Sequence, residues 1–149
     1  PAEVAVRMTV GSLLFHERAA RMIQYHARNN KLPGFSEVVD ALIEATWKSP
    51  HQKGLHGEIQ RVVDQVVLTH LMGLAGQERA APQVRAVASL KLKELKDWIN
   101  QRIKHVSDKS QKAYLNYALS QIRLYEKDPS RVEITEPLPA PAGAPIGMH

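Results

Sequence analysis

Residues 55–74, LHGEIQRVVDQVVLTHLMGL, constrain the fold of this chain more than any other stretch. Leu55, Ile59, Val62, Val63, Val66, Val67, Leu71 and Leu74 recur at steps of three and four, which places them on one wide face of an α-helix. Leu68 and Met72 carry the apolar surface beyond that face, so the helix is expected to meet neighbours on more than one side. A helix of this character draws its stability from packing. The flanking sequence supplies the helices to pack against it.

Within 149 residues there is room for one domain with a substantial core. Aromatic residues make up only 5% of the chain, so that core is built mainly from Leu, Val, Ile and Ala. Such a core suits packed helices better than a surface that stacks nucleotides. A first helix is predicted from a Ser12 cap to about Arg28, with Phe15, Ala19, Met22, Ile23 and His26 on one face. The run 29–34, NNKLPG, ends it. A short second helix is predicted from a Ser36 cap to about Trp47, burying Phe35, Val38, Val39, Leu42, Ile43 and Thr46. After the central helix, closed by Gly76, Pro82 opens a fourth helix to about His105, where its missing N–H costs nothing. Its buried side carries Val84, Ala88, Leu92, Leu95, Ile99 and Ile103. Ser107 or Asp108 caps a fifth helix to about Lys127, with Leu115, Ala118, Leu119, Ile122 and Tyr125 inward.

The two ends differ from this pattern. Val4, Val6, Met8 and Val10 alternate with polar or small residues, which makes residues 1–11 an extended arm or linker. Residues 129–149 hold Pro137, Pro139, Pro141 and Pro145 and cannot form a regular helix. The expected fold is therefore all-α. About five helices over 12–128 form an irregular bundle or a short solenoid-like array, between an extended N-terminal segment and a Pro-rich tail. The opening Pro1-Ala2-Glu3 has no initiator Met, and the chain is expected to be a piece of a longer polypeptide.

Few chemistries survive inspection. Cysteine is absent, which excludes disulfides and thiolate metal sites. No run approaches the roughly 20 apolar residues that span a bilayer. His16-Glu17-Arg18-Ala19-Ala20 opens like the zinc-protease motif His-Glu-x-x-His. That motif needs imidazoles four residues apart, so that both reach one ion from one helical face. Position 20 is alanine, the motif fails, and His16 reads as a surface or helix-cap residue. His26 lies roughly 15 Å further along the helix axis and cannot share an ion with His16. His51 and His56 flank a turn without a third ligand close by. His70 has two readings: a base in a pocket aided by Asp64 or Glu58, or a partly buried imidazole bonded to a carbonyl. The second is favoured. The serines lack a Gly-x-Ser-x-Gly context, and no phosphate-binding loop is present. No residue is assigned as catalytic, cofactor-binding or metal-binding.

The formal charge is +5, which permits attraction to anions. The basic run Lys91-Leu92-Lys93-Glu94-Leu95-Lys96 and its neighbours Arg85, Arg102, Lys104, Lys109 and Lys112 are spread around the helices and interrupted by acids. They read as a solvated face, not as a nucleic-acid track. Trp47, Trp98, Tyr114, Tyr117 and Tyr125 border apolar stripes and read as core.

Longer patterns carry a family likeness. Arg18-Ala19-Ala20-Arg21-Met22-Ile23, residues 35–48 (FSEVVDALIEATWK), Gln83-Val84-Arg85-Ala86-Val87-Ala88 and the ending Pro145-Ile146-Gly147 stand in that order. Together they resemble the carboxy-terminal region of large, exported bacterial zinc-dependent metalloproteases of the met-zincin type. The likeness runs from about Leu13 to Gly147 and rests on packing and turn patterns. It implies peptide-bond hydrolysis by zinc-bound water in an upstream domain, with the motif's glutamate as general base. The zinc-binding histidines, that glutamate and the Met-turn all belong upstream, and none can be placed on this chain. The resemblance thus implies a non-catalytic helical C-terminal domain in an exported protein, with the catalytic domain of the same polypeptide as its partner. Leu68 and Met72 are the expected apolar contact patch. A stand-alone helical protein–protein interaction module explains the same helices. A basic nucleic-acid-binding domain and a small enzyme using His70 are the remaining alternatives.

Overall fold

The computed structural model describes residues 15–29, 34–50, 54–76 and 80–129. Among these residues five helices follow one another: α1 (Phe15–Asn29), α2 (Gly34–Ala45), α3 (Leu55–Gly76), α4 (Pro82–Ile103) and α5 (Lys109–Lys127). No strand occurs among the described residues. The chain forms an all-α bundle, as the helical spacing of its apolar residues requires. The predicted extended arm 1–11, the Ser12 cap and residues 130–149 lie outside the described residues.

The stretch with the longest apolar face became the centre of the bundle. Helix α3 touches all four other helices, most extensively α4 and then α1. Val63, Val67, Leu68 and Leu71 are sealed from solvent along it, and Phe35, Leu42, Leu95, Ile99, Leu115 and Ile122 meet them from the surrounding helices. Each such side chain contributes roughly 1.5–3 kcal/mol by leaving water.

Several local features follow from residue chemistry. Helix α4 opens on Pro82, and Ala81 before it provides no side-chain cap. Asp108, not Ser107, caps α5, its carboxylate accepting from the Ser110 N–H at 3.4 Å. The end of α2 is closed by side chains: Thr46 Oγ1 donates to the Leu42 carbonyl at 2.6 Å and Ser49 Oγ to the Glu44 carbonyl at 2.8 Å. Gly54 enters α3 at φ +78°, left-handed backbone that other residues adopt only with strain. Gly76 ends α3 for a different reason. A Cβ there would sit 3.2 Å from both the Pro129 ring and the Tyr125 ring, so glycine lets the end of α5 close against α3.

Four expectations need correction. Leu68 and Met72 are 0% and 4% exposed. They belong to this domain's own core because α3 is covered on several sides, and they are not a patch awaiting another domain. Val62 is 53% exposed despite its place in the apolar series, since the buried sector of α3 is centred on Val63, Val67 and Leu71. Helix α2 starts at Gly34, ahead of the expected cap Ser36, as the full burial of Phe35 draws the first turn into the core. Tyr117 is 58% exposed and is not a core residue.

Candidate functional site

The strongest polar constellation is built around Asp64, an acid with no solvent exposure in the middle of α3. Its carboxylate Oδ2 accepts from the Tyr114 hydroxyl of α5 at 2.7 Å. Its main-chain carbonyl accepts from the Trp47 indole N–H at 2.9 Å. The Trp47 and Tyr114 rings stack with centroids 5.4 Å apart and planes 13° from parallel. Arg61 covers the other side of this group, its guanidinium 5.1 Å from the centre of the Tyr114 ring. It also reaches the Gln111 side chain at 3.4 Å. One turn away, the Gln60 amide donates to the Thr46 carbonyl at 3.2 Å. Burial, and then the adjacent Asp64 carboxylate, push the Tyr114 phenol well above its ordinary range, so it remains a hydrogen-bond donor.

Chemically, this arrangement ties three elements to one another: α3, the turn after α2, and α5. A buried carboxylate is costly unless it is hydrogen-bonded, and Tyr114 meets that need across 50 residues of sequence. Sequence reasoning passed over the pair. The available signal was an acid placed among Val62, Val63, Val66 and Val67; nothing local pointed to Tyr114.

His70 takes the plainer of its two readings. Its Nδ1 lies 2.8 Å from the Val66 carbonyl one turn back, so Nδ1 carries the proton and donates. Burial lowers its pKa from 6.5, partly opposed by that hydrogen bond. Asp64 does not assist it: six residues apart on one helix, the two point roughly 120° from each other. Glu58 is about 18 Å away along the axis. His26 is buried with its ring edge-on to Tyr25 at 5.2 Å. The side chains of His16 and His56, and residue His51, lie outside the description. Among the described residues, no group of three or more His, Asp or Glu converges as a metal-ion cradle.

Lys91 departs from the expected solvated face. It is only 8% exposed and its Nζ sits 2.8 Å from Asp40 of α2, with Glu94 at 3.8 Å. The ion pair joins α4 to α2 beside a surface cavity of about 440 Å³. Lys96 behaves similarly, bridging α4 to α5 through Glu126 at 2.6 Å.

A more accessible feature lies at one end of the bundle. The turn after α2 and the connection from α4 to α5 enclose an open cleft of about 560 Å³, lined by Trp47, Lys48, Trp98, Arg102, His105 and Asp108 among others. Trp98 and Arg102 stand four residues apart on α4, hence on one face of it.

No known protein family, no curated protein and no solved structure matches this chain.

Proposed function

We propose that this chain is a non-catalytic helical support domain of a larger, exported zinc-dependent metallopeptidase, packed beside the catalytic domain and shaping a wall of its cleft. The observation that carries the non-catalytic part is the engagement of its reactive side chains. Asp64 holds Tyr114, His70 holds the Val66 carbonyl and Lys91 holds Asp40, so each is spent on joining or bracing helices. The peptidase partner is supported by the resemblance of the segments at 18–23, 35–48, 83–88 and 145–147.

The contact surface now differs from Leu68 and Met72. Tyr117 and Leu124, two turns apart on the outward face of α5, are 58% and 52% exposed and offer apolar area to a neighbouring domain. The reading is tested in two ways. The coding sequence ahead of Pro1 is expected to contain a His-Glu-x-x-His helix in the same reading frame; its absence overturns the peptidase partner. Calorimetric titration of the 149-residue chain with zinc is expected to show no tight stoichiometric site. Tight binding accompanied by peptide hydrolysis overturns the non-catalytic role.

A further inference from the structure

The cleft between the turn after α2 and the α4–α5 connection has a chemistry that the packing does not use. Three charged side chains line it. Lys48 is paired with Glu44 at 3.3 Å. The Asp108 carboxylate accepts from the Ser110 N–H and faces the positive end of α5. Arg102 is exposed and has no ionic partner among the described residues. Its guanidinium therefore retains the full capacity of a planar, two-pronged donor, whose natural complement is a carboxylate. Beside it, Trp98 is partly exposed and supplies a flat apolar surface, while the His105 imidazole adds a nitrogen at the rim.

We infer that this cleft binds an acidic peptide segment, with Arg102 gripping a carboxylate side chain and Trp98 packing against the adjoining peptide residue. Three observations select that occupant. The cleft is open and most of its lining residues are polar, whereas sites for small organic molecules are enclosed and largely apolar. The unneutralised charge is a single guanidinium in a bounded cleft, whereas a nucleic-acid strand needs a line of cations along successive phosphates. Trp98 and Arg102 project from the rigid last turns of α4, and most of the remaining lining comes from the two connecting segments, where binding surfaces are commonly placed. The chain's formal charge of +5 favours approach of an acidic partner. This binding role stands with or without a peptidase parent.

The experiment is a titration of the full chain with hexaglutamate at an ionic strength of about 0.1 M, where charges are screened over about 10 Å, read by tryptophan fluorescence. Trp98 is the responsive ring, because Trp47 is only 2% exposed and stacked on Tyr114. Hexaglutamate is expected to shift the emission saturably, and hexalysine to leave it unchanged. Arg102→Ala is expected to weaken binding about tenfold or more, with Arg102→Lys in between, since lysine keeps the charge and loses the fork. Lys127→Ala removes the same charge about 24 Å along α5 from Gln111, beyond the reach of screened electrostatics, and is expected to change binding less than about twofold. Melting curves of Arg102→Ala and Arg102→Lys confirm folding, which an exposed side chain should not disturb. No binding overturns the inference. Equal losses in Arg102→Ala and Lys127→Ala overturn it too, showing attraction by net charge alone. Inorganic phosphate binding as tightly as hexaglutamate also overturns it, in favour of a simple ion site.

Discussion

Replacing Tyr114 by phenylalanine isolates the bond that fastens α5 to α3. The substitution keeps the ring stacked on Trp47 and beneath Arg61, and removes only the hydroxyl that donates to Asp64 at 2.7 Å. Asp64 has no solvent exposure, so water cannot take the place of the lost donor without opening the core. A hydrogen bond to a charged group contributes about 1.5–3 kcal/mol. For a domain of this size that corresponds to a melting temperature lower by roughly 5–15 °C. Urea unfolding followed by tryptophan fluorescence measures the loss directly, because the Trp47 indole is part of the same cluster. The double-mutant cycle with Asp64→Ala, which removes the acceptor, separates the pair from its surroundings. The two single losses should sum to about 1 kcal/mol or more above the loss in the double variant. A Tyr114→Phe protein within about 0.5 kcal/mol of the parent would refute the reasoning, as would strict additivity in the cycle. Either result would mean that the stacked rings alone hold α5 in place.

The Lys91–Asp40 pair is expected to respond asymmetrically. Asp40→Ala strands a buried ammonium with only Glu94 at 3.8 Å and should cost about 1–2 kcal/mol in urea unfolding. Lys91→Met leaves behind an aspartate that is 53% exposed and should cost less than about 1 kcal/mol; equal losses would contradict this account. His70 should make the fold sensitive to acid. Burial holds its native pKa below 6.5, so as pH falls past 6.5 the unfolded chain takes up a proton before the native state does. Its contribution is intact above pH 6.5 and is lost as pH falls toward the depressed native value. The drop in melting temperature between about pH 7.5 and about pH 5 should thus be smaller in His70→Leu than in the parent, and identical drops would remove His70 as the cause.

The apolar spacing in residues 55–74 was enough to identify the central helix and Gly76 its end, while Pro82, a cap at Ser107 or Asp108, and Pro129 marked the limits of the two helices that follow. Those signals are local. They depend on which groups lie three or four positions apart and on which backbone angles a residue tolerates, so they can be read without knowing where any other helix sits. The peptidase partner, by contrast, rests on resemblance alone.

Tertiary structure decided what each surface faces. Val62 and Val63 are neighbours in one apolar series, yet one is 53% exposed and the other 1%, because the covering helices reach only part of the stripe. Lys91 sits in a basic run and is buried, because Asp40 approaches from α2. Asp64 and Tyr114 meet across 50 residues, and Arg102 joins Trp98 and the turn after α2 in one cleft. Periodicity tells a side chain which way to point from its own helix axis. Whether it then meets water, a carboxylate or another ring depends on how the axes cross, and that is settled only when all five helices pack at once.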